Sequence, residues 1–330
     1  MKEQFLQIAH HYQDSAILGA AAELGLFPAL RKLTVPTAEN LATALNADLR
    51  GLTMLLDALA ALGILEKTNE TYEIPDDCQP FLDENSPQSM LPFLCHSMSC
   101  LRRWSQLAWT VKSGMPAPAL TSLNGAAAEQ EAFILGMNSI AVQMIPGLMA
   151  QMREAGLLEF QNFLDLGGAS GTYAAAFLRE IPTAKATIFD LPSVIPSARK
   201  RMAEEGLSDR ISFVGGDFYR QNFPTGFDFL WVSAIIHQHD DSATELMLQK
   251  AFDALESGGR VAIRDVFCAP DRTSPLPAAL FAINMLCATQ TGKVYSQEEV
   301  FDLLTRTGFL NPRLAVASPG MGSVITAEKP

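Results

Sequence analysis

Residues 162–171 read NFLDLGGASG, an apolar strand pattern that runs into a glycine-rich turn. Glycines at such a turn let backbone amides approach a ligand at the head of a sheet. A dinucleotide fingerprint needs glycines at its first, third and sixth positions, and counted from Gly167 the third position is Ala169, so that register fails. Asp165, two positions ahead of Gly167, repels a phosphate but suits an ammonium. Asp190, in IFDLP, ends the next strand pattern 25 positions later, where an acid can accept both hydroxyls of a ribose. Asp217, in GGDF, ends the strand after that and can meet an adenine amino group, with Phe218 packed on the ring. Taken singly, each has a bland alternative, because glycine turns can be merely tight and Asp is common at helix caps. Three acids at three successive strand ends point together to a ligand with a cationic amino-acid end and a nucleoside.

The elements that must position these residues are legible from periodicity. Strand patterns at 162–166, 187–189, 211–214, 227–233 and 260–264 alternate with helical spacing at 173–180, 194–205 and 244–255. Such alternation predicts a doubly wound parallel α/β sheet covered on both faces. The patterns at 313–317 and 323–327 are joined by residues 319–322, too short a link for a parallel crossover, so an antiparallel pair is expected to close the sheet.

The first part of the chain reads differently. Phe5, Ile8, Ala9, Tyr12, Ala16, Leu18 and Ala22 recur at helical spacing up to Gly25. Thr37 caps a helix ending near Leu45, a second helix spans 49–62, and strands at 64–67 and 71–74 flank Asn69. Helix, turn, helix and hairpin describe a winged helix. The charges oppose DNA binding: the second helix has Arg50 as its only base and Asp57 at its middle, and the wing sets Glu66, Glu70 and Glu73 against Lys67. The whole chain of 330 residues carries a net charge of −12, a composition that disfavours a polyanionic partner.

With 48% hydrophobic and 18% charged residues, the chain can close a sizeable core. Five cysteines without a CxxC read as reduced thiols of a cytoplasmic protein, and the first residues lack the basic-then-apolar order of a signal peptide. The uncharged run 132–152 is long enough to cross a bilayer, yet it holds Gly136, Asn138, Ser139, Gln143, Pro146 and Gly147. It reads as a buried or intersubunit helix, so no membrane is expected. The uncharged run 273–292 is likewise broken by Pro275 and Pro277.

The motifs DLGGASG, FDLP, GGDF, IIHQHDD, LESGGRVAIRD and the closing TGF resemble those of the S-adenosylmethionine-dependent small-molecule O-methyltransferases of plant and bacterial type. The resemblance covers nearly the whole chain. It implies a Rossmann-like class I methyltransferase sheet with a C-terminal antiparallel hairpin, preceded by a winged-helix dimerisation domain. The expected parts are residues 1–95 for dimerisation, 96–157 for connecting helices that roof the active site, and 158–330 for catalysis. It further implies S-adenosyl-L-methionine as cofactor, S-adenosyl-L-homocysteine as product, no metal, and a homodimer. Carried over by position, Gly167, Gly168 and Gly171 would line the methionine moiety, Asp190 the ribose, and Asp217 with Phe218 the adenine, with His239 packed near it; Asp165 and Leu191 are expected to bind the cofactor as well. Ala169 stands where a third glycine is usual, and its methyl group fits if the residue keeps a negative φ.

The resemblance also places the general base at His237, after the apolar run 229–236, with Asp265 to orient it and His239 as the competing base. For a phenol of pKa about 10 and an imidazole near 6.5, full proton transfer is uphill by roughly 5 kcal/mol. A sulfonium about 4 Å away offsets on the order of 4 kcal/mol at an effective dielectric of 20, so proton removal and methyl attack are closely coupled. A second carboxylate that the resemblance implies after Gly292 and Lys293 is missing, with Val294 and Tyr295 in its place, which leaves carbon or nitrogen acceptors as an alternative; a non-methylating member that uses the bound cofactor only for its positive charge is another. The acceptor pocket is expected to draw on Phe133, Met137, Met144, Phe281, Asn284 and Met285, a set suited to a flat apolar small molecule.

Overall fold

The computed structural model describes residues 1–318 and 320–330. Pro319, at the head of the expected closing turn, lies outside the described residues. The chain divides into two compact units, residues 1–109 with 117–143, and residues 110–116 with 144–330.

The first unit begins with α1 (Lys2–His10), α2 (Tyr12–Glu23) and α3 (Leu26–Lys32). The single helix expected before Gly25 is interrupted at His11, and Gly25 itself sits at φ +70, where a side chain is disfavoured. Helices α4 (Ala38–Leu45) and α5 (Leu49–Ala61) follow, then strands β1 (Glu66–Thr68) and β2 (Thr71–Glu73), which pair antiparallel. Thr37 and Asp48 cap α4 and α5 through side-chain oxygens that accept from Asn40 N and Gly51 N. Leu26, Phe27, Leu41, Leu52, Leu56, Leu59 and Tyr72 bury the helices against the wing. The wing's Lys67 lies 2.7 Å from Asp57 of α5, and Tyr72 donates to the same carboxylate. The wing's one base therefore faces an acid of its own fold.

After α6 (Gln79–Leu82), α7 (Leu91–Trp104) and α8 (Leu107–Ser113) comes the long α9 (Gly125–Glu154), with Pro146 inside it. Within the first unit α7 crosses α2 closely, since a Cβ on Gly19 would meet Met98 at 2.2 Å. Arg102 of α7 makes two hydrogen bonds to Glu23 and one to Glu129 of α9. The uncharged run is thus a helix packed on α7, where a Cβ on Gly136 would stand 3.0 Å from the Phe93 backbone. It is not buried as a whole, because Phe133, Ile134, Leu135 and Met137 face outward from the single chain.

The second unit holds a seven-stranded sheet. Its elements are β3 (Asn162–Leu166), α10 (Thr172–Glu180), β4 (Lys185–Asp190), α11 (Ile195–Glu204), β5 (Ile211–Gly215), β6 (Phe227–Ser233), α12 (Asp241–Ala254) and β7 (Leu255–Asp265). They are followed by β8 (Phe267–Cys268), α13 (Leu276–Ala288), β9 (Tyr295–Ser296), α14 (Gln297–Arg306), β10 (Leu310–Val316) and β11 (Ser323–Glu328). The order is β10-β11-β7-β6-β3-β4-β5, with β3 to β7 parallel and β11 antiparallel to both neighbours. Alternation divides the core between two faces. Leu164, Leu230, Val232 and Ile263 pack on the side of α12 and α14, and Phe163, Phe229, Trp231 and Ala262 pack with residues of α10 and the end of α9. Because β3 to β7 run parallel, their carboxyl ends share one edge of the sheet, and there Asp190 and Asp265 close their strands.

Candidate active site

At the glycine turn, Gly167 (φ +65) donates its N–H to Phe189 O, and Gly171 (φ +78) opens α10. A Cβ on Gly168 would stand 2.8 Å from Asp165 Oδ2, so only glycine lets the backbone pass over that carboxylate. Ala169 corrects the expectation of a negative φ: it sits at +47, in the left-handed region. Its N–H donates to Asp190 Oδ2 at 2.8 Å, which holds it in a conformation that costs a non-glycine residue roughly 1–2 kcal/mol.

Asp165 is fully enclosed, and its Oδ2 has no hydrogen-bond partner. Burial, then the charge of Asp190, push its carboxyl up to about 8, against the opposing pull of the Ala174 N–H. Burial also raises Asp190, although the N–H groups of Ala169 and Leu191 favour its charged form. Two carboxylates that oppose each other's ionisation are stabilised by a cation. An orphaned carboxylate oxygen, a backbone path that a Cβ would block, and a second acid one strand over fit an ammonium-bearing nucleoside.

Asp217 is engaged locally. Its Oδ1 accepts from Tyr219 N, its N–H donates to Gln221 Oε1, and Arg220 stands 3.7 Å from Oδ2. Phe218 is half-buried beside two more rings, Tyr219 at 4.7 Å and His239 at 5.7 Å, and the Tyr219 hydroxyl hydrogen-bonds His239 Nδ1. Burial first, then the charge of His237, lower the His239 pKa. Tyr219 was not singled out from the sequence, where an aromatic directly after Phe218 was the available signal.

The apolar run before His237 is not all strand. β6 stops at Ser233, Ala234 turns the chain at φ +57, and a single turn at Ile236–Gln238 carries the histidine. His237 Nδ1 lies 2.7 Å from Asp265 Oδ1, and its backbone N–H faces Asp265 Oδ2 at 3.4 Å. Val266 N–H also donates to Oδ1. Asp265 is fully buried and His237 nearly so. A carboxylate on Nδ1 selects the tautomer that leaves the Nε2 lone pair free to accept a proton.

Phe281 of α13 meets the imidazole edge-on at 4.9 Å. A Cβ on Gly292 would approach His237 O to 2.6 Å, so that glycine sets how closely the following loop backs the histidine. Where the resemblance implies a second carboxylate, buried Tyr295 donates to His239 O and pairs with Thr244 Oγ1. It braces the histidine loop and leaves Asp265 as the acid bonded to His237. Met144, Phe281, Asn284 and Met285 belong to the same unit as His237, whereas Phe133 and Met137 belong to the first unit, with Phe133 tilted against His96 at 5.1 Å. Among the described residues no group of His, Cys, Asp and Glu is arranged to hold a metal ion.

Fold and site together define a class: a doubly wound α/β protein with an acid-lined glycine turn and a His–Asp pair at one sheet edge. Residues 100–310 match the family model of the O-methyltransferase domain, and residues 6–84 match that of the O-methyltransferase dimerisation domain. The chain belongs to this family of S-adenosylmethionine-dependent O-methyltransferases. It is 30% identical over 331 residues to the tetracenomycin polyketide synthesis 8-O-methyl transferase TcmO of Streptomyces glaucescens, covering 98% of this chain and 96% of that one. It is 29% identical to the 3-hydroxy-5-methyl-1-naphthoate 3-O-methyltransferase of Streptomyces sahachiroi, covering 94% and 91%. Among solved structures, PigF with SAH superposes with a TM-score of 0.87 at 24% identity over all of both chains. Human N-acetylserotonin methyltransferase in complex with SAM gives 0.85 at 23%, over 99% of this chain and 97% of that one.

Proposed function

We propose that this enzyme methylates a phenolic hydroxyl of a flat aromatic metabolite, with His237 as general base and Asp265 as its orienting partner. The observation that carries this reading is the buried 2.7 Å contact between His237 Nδ1 and Asp265, at the sheet edge that also ends in the glycine turn. The cofactor, when bound, supplies an electrophilic methyl group on a sulfonium. Gly167, Gly168 and Gly171 admit its methionine end, Asp165 meets the ammonium, and Asp190 with Leu191 receives the ribose. Asp217, Phe218 and His239 flank the adenine, with Tyr219 closing the ring cluster. His237 Nε2 takes the phenolic proton as the oxygen attacks, and Asp265 stabilises the imidazolium that forms. Phe281, Asn284, Met285 and Met144 bound the acceptor from the catalytic unit.

The acceptor class draws support from two relatives named for a naphthoate and a tetracenomycin. A homodimer through the N-terminal unit is supported by its dimerisation-family match and by α1, which buries no residue in the single chain and exposes Phe5, Ile8 and nearby Tyr12. The absence of a disulfide among the described residues favours a cytoplasmic enzyme, and the strong negative charge favours one that acts without nucleic acid.

The test is methyl transfer by wild type and His237→Gln to a panel of naphthols and hydroxynaphthoates, read by mass spectrometry, with S-adenosylhomocysteine affinity measured in parallel. The expected result is a loss of about 10²–10⁴-fold in kcat at unchanged affinity. Retention of most activity would remove His237 from proton transfer and favour a carbon or nitrogen acceptor.

A further inference from the structure

Arg264, next to Asp265 in β7, is 3% exposed and lies on the opposite face of the strand from the catalytic acid. Among the described residues no carboxylate pairs with it. Its Nη1 donates to Ser233 Oγ at 3.0 Å, its Nη2 reaches only Met144 Sδ at 3.4 Å, and its Nε has no partner. The guanidinium lies over the Tyr173 ring at 5.1 Å. Burial presses its pKa downward. A buried guanidinium held by one hydroxyl and one thioether is under-satisfied, because a thioether is a weak acceptor and the planar fork suits a carboxylate.

Its place on the sheet indicates which carboxylate. Arg264 pairs in register with Ser233, and Asp165 pairs with Trp231, two residues earlier on the same strand. By alternation Arg264, Ser233, Trp231 and Asp165 share one face. Tyr173, two residues after Gly171, packs between them against Trp231 and Arg264. This face therefore carries a buried acid with an orphaned oxygen and a buried base with an orphaned nitrogen. Among the described residues no ion pair joins them. A carboxyl that can ionise against a cation and a guanidinium, enclosed on one face yet kept apart, are complementary to a zwitterion.

We propose that Arg264 binds the α-carboxylate of the cofactor's methionine moiety, displacing the Met144 thioether, while Asp165 takes the α-ammonium. This deepens the reading above and rests on it. A carboxylate carried by the acceptor has the same chemistry, and the experiment separates the two sources.

Calorimetry without acceptor compares S-adenosylmethionine with its decarboxylated form, on wild type and Arg264→Met. Wild type is expected to prefer the carboxylated ligand roughly 10- to 100-fold, and the variant to lose that preference while binding the decarboxylated form within about threefold of wild type. The ligand-free variant is expected to melt at or above wild type, since a buried unpaired cation has been replaced by an apolar chain of similar length. Arg264→Lys keeps the charge without the fork and is expected to show a reduced preference, which provides a second variant should the first fold poorly. A preference retained in Arg264→Met, or equal weakening of both ligands, overturns the proposal. So does an unchanged preference combined with a raised KM confined to carboxylated phenols, which would assign Arg264 to the acceptor. Failure of wild type to bind either ligand defeats the cofactor reading itself, a result distinct from all of these.

Discussion

The two faces of the catalytic sheet handle buried charge in opposite ways. On the α12 and α14 side, His237 and Asp265 satisfy each other: the carboxylate accepts from the imidazole and from the Val266 N–H, and its second oxygen faces the His237 N–H. On the α10 side, Asp165 and Arg264 are just as deeply enclosed and are left with unpaired atoms. On the proposed reading His237 is a general base, which must be oriented before the substrate arrives, so its bonds are closed within the protein. A binding site for charge keeps its bonds open until the ligand closes them, at the expense of stability in the free protein.

The largest effect is expected from breaking the closed pair. Asp265→Asn keeps the shape but removes the charge that fixes the imidazole tautomer, and kcat is expected to fall on the order of 10³-fold with S-adenosylhomocysteine affinity unchanged. An equal loss of affinity would show the two faces to be one coupled network.

On the open face, Asp165→Asn is expected to weaken S-adenosylhomocysteine binding by roughly 10- to 100-fold while raising the melting temperature of the free protein near pH 7. The sign follows from the raised pKa. The folded carboxyl titrates near 8 and the unfolded one near its ordinary value, so the folded state holds the extra proton between roughly pH 4 and 8, and stability falls as pH rises through that window. Melting curves from pH 5 to 9 should slope downward in wild type and flatten in the variant. A wild-type profile that rises instead would mean Asp165 is ionised in the free protein.

A smaller change is expected at Gly292. Adding a methyl group 2.6 Å from His237 O must shift the histidine backbone, so Gly292→Ala is expected to lower kcat about tenfold with KM for the cofactor preserved. The smallest concerns Ala169, where glycine relieves the positive φ: Ala169→Gly should stabilise the free protein by up to about 1 kcal/mol in denaturant titration. No gain there would mean that the greater freedom of glycine in the unfolded chain offsets the relieved strain.

Much of the catalytic half was legible because its signals are local. β3 and β6 fall where the apolar patterns put them, and the antiparallel close of the sheet followed from the short link between the last two strands. The cap at Thr37, the wing around Asn69, Asp165 one residue before the end of β3 and Asp190 at the end of β4 also depend on near neighbours in the chain. Arg264 escaped notice because a single charged residue inside VAIRD looks like any half-buried strand position until its surroundings are known. The φ of Ala169 is not legible for a similar reason: the group that holds it in the left-handed region is Asp190, twenty-one residues away.

The sequence alone determined the element order, the charge balance that disfavours a polyanionic partner, and which residue types stand at the strand ends. Periodicity and capping act over a few residues, so they survive without a fold. Only the tertiary structure decided which of those polar groups are satisfied and which are left open, because desolvation and pairing depend on side chains far apart in the chain. That distribution separates His237, bonded to Asp265, from Asp165 and Arg264, each of which keeps an unpaired buried atom.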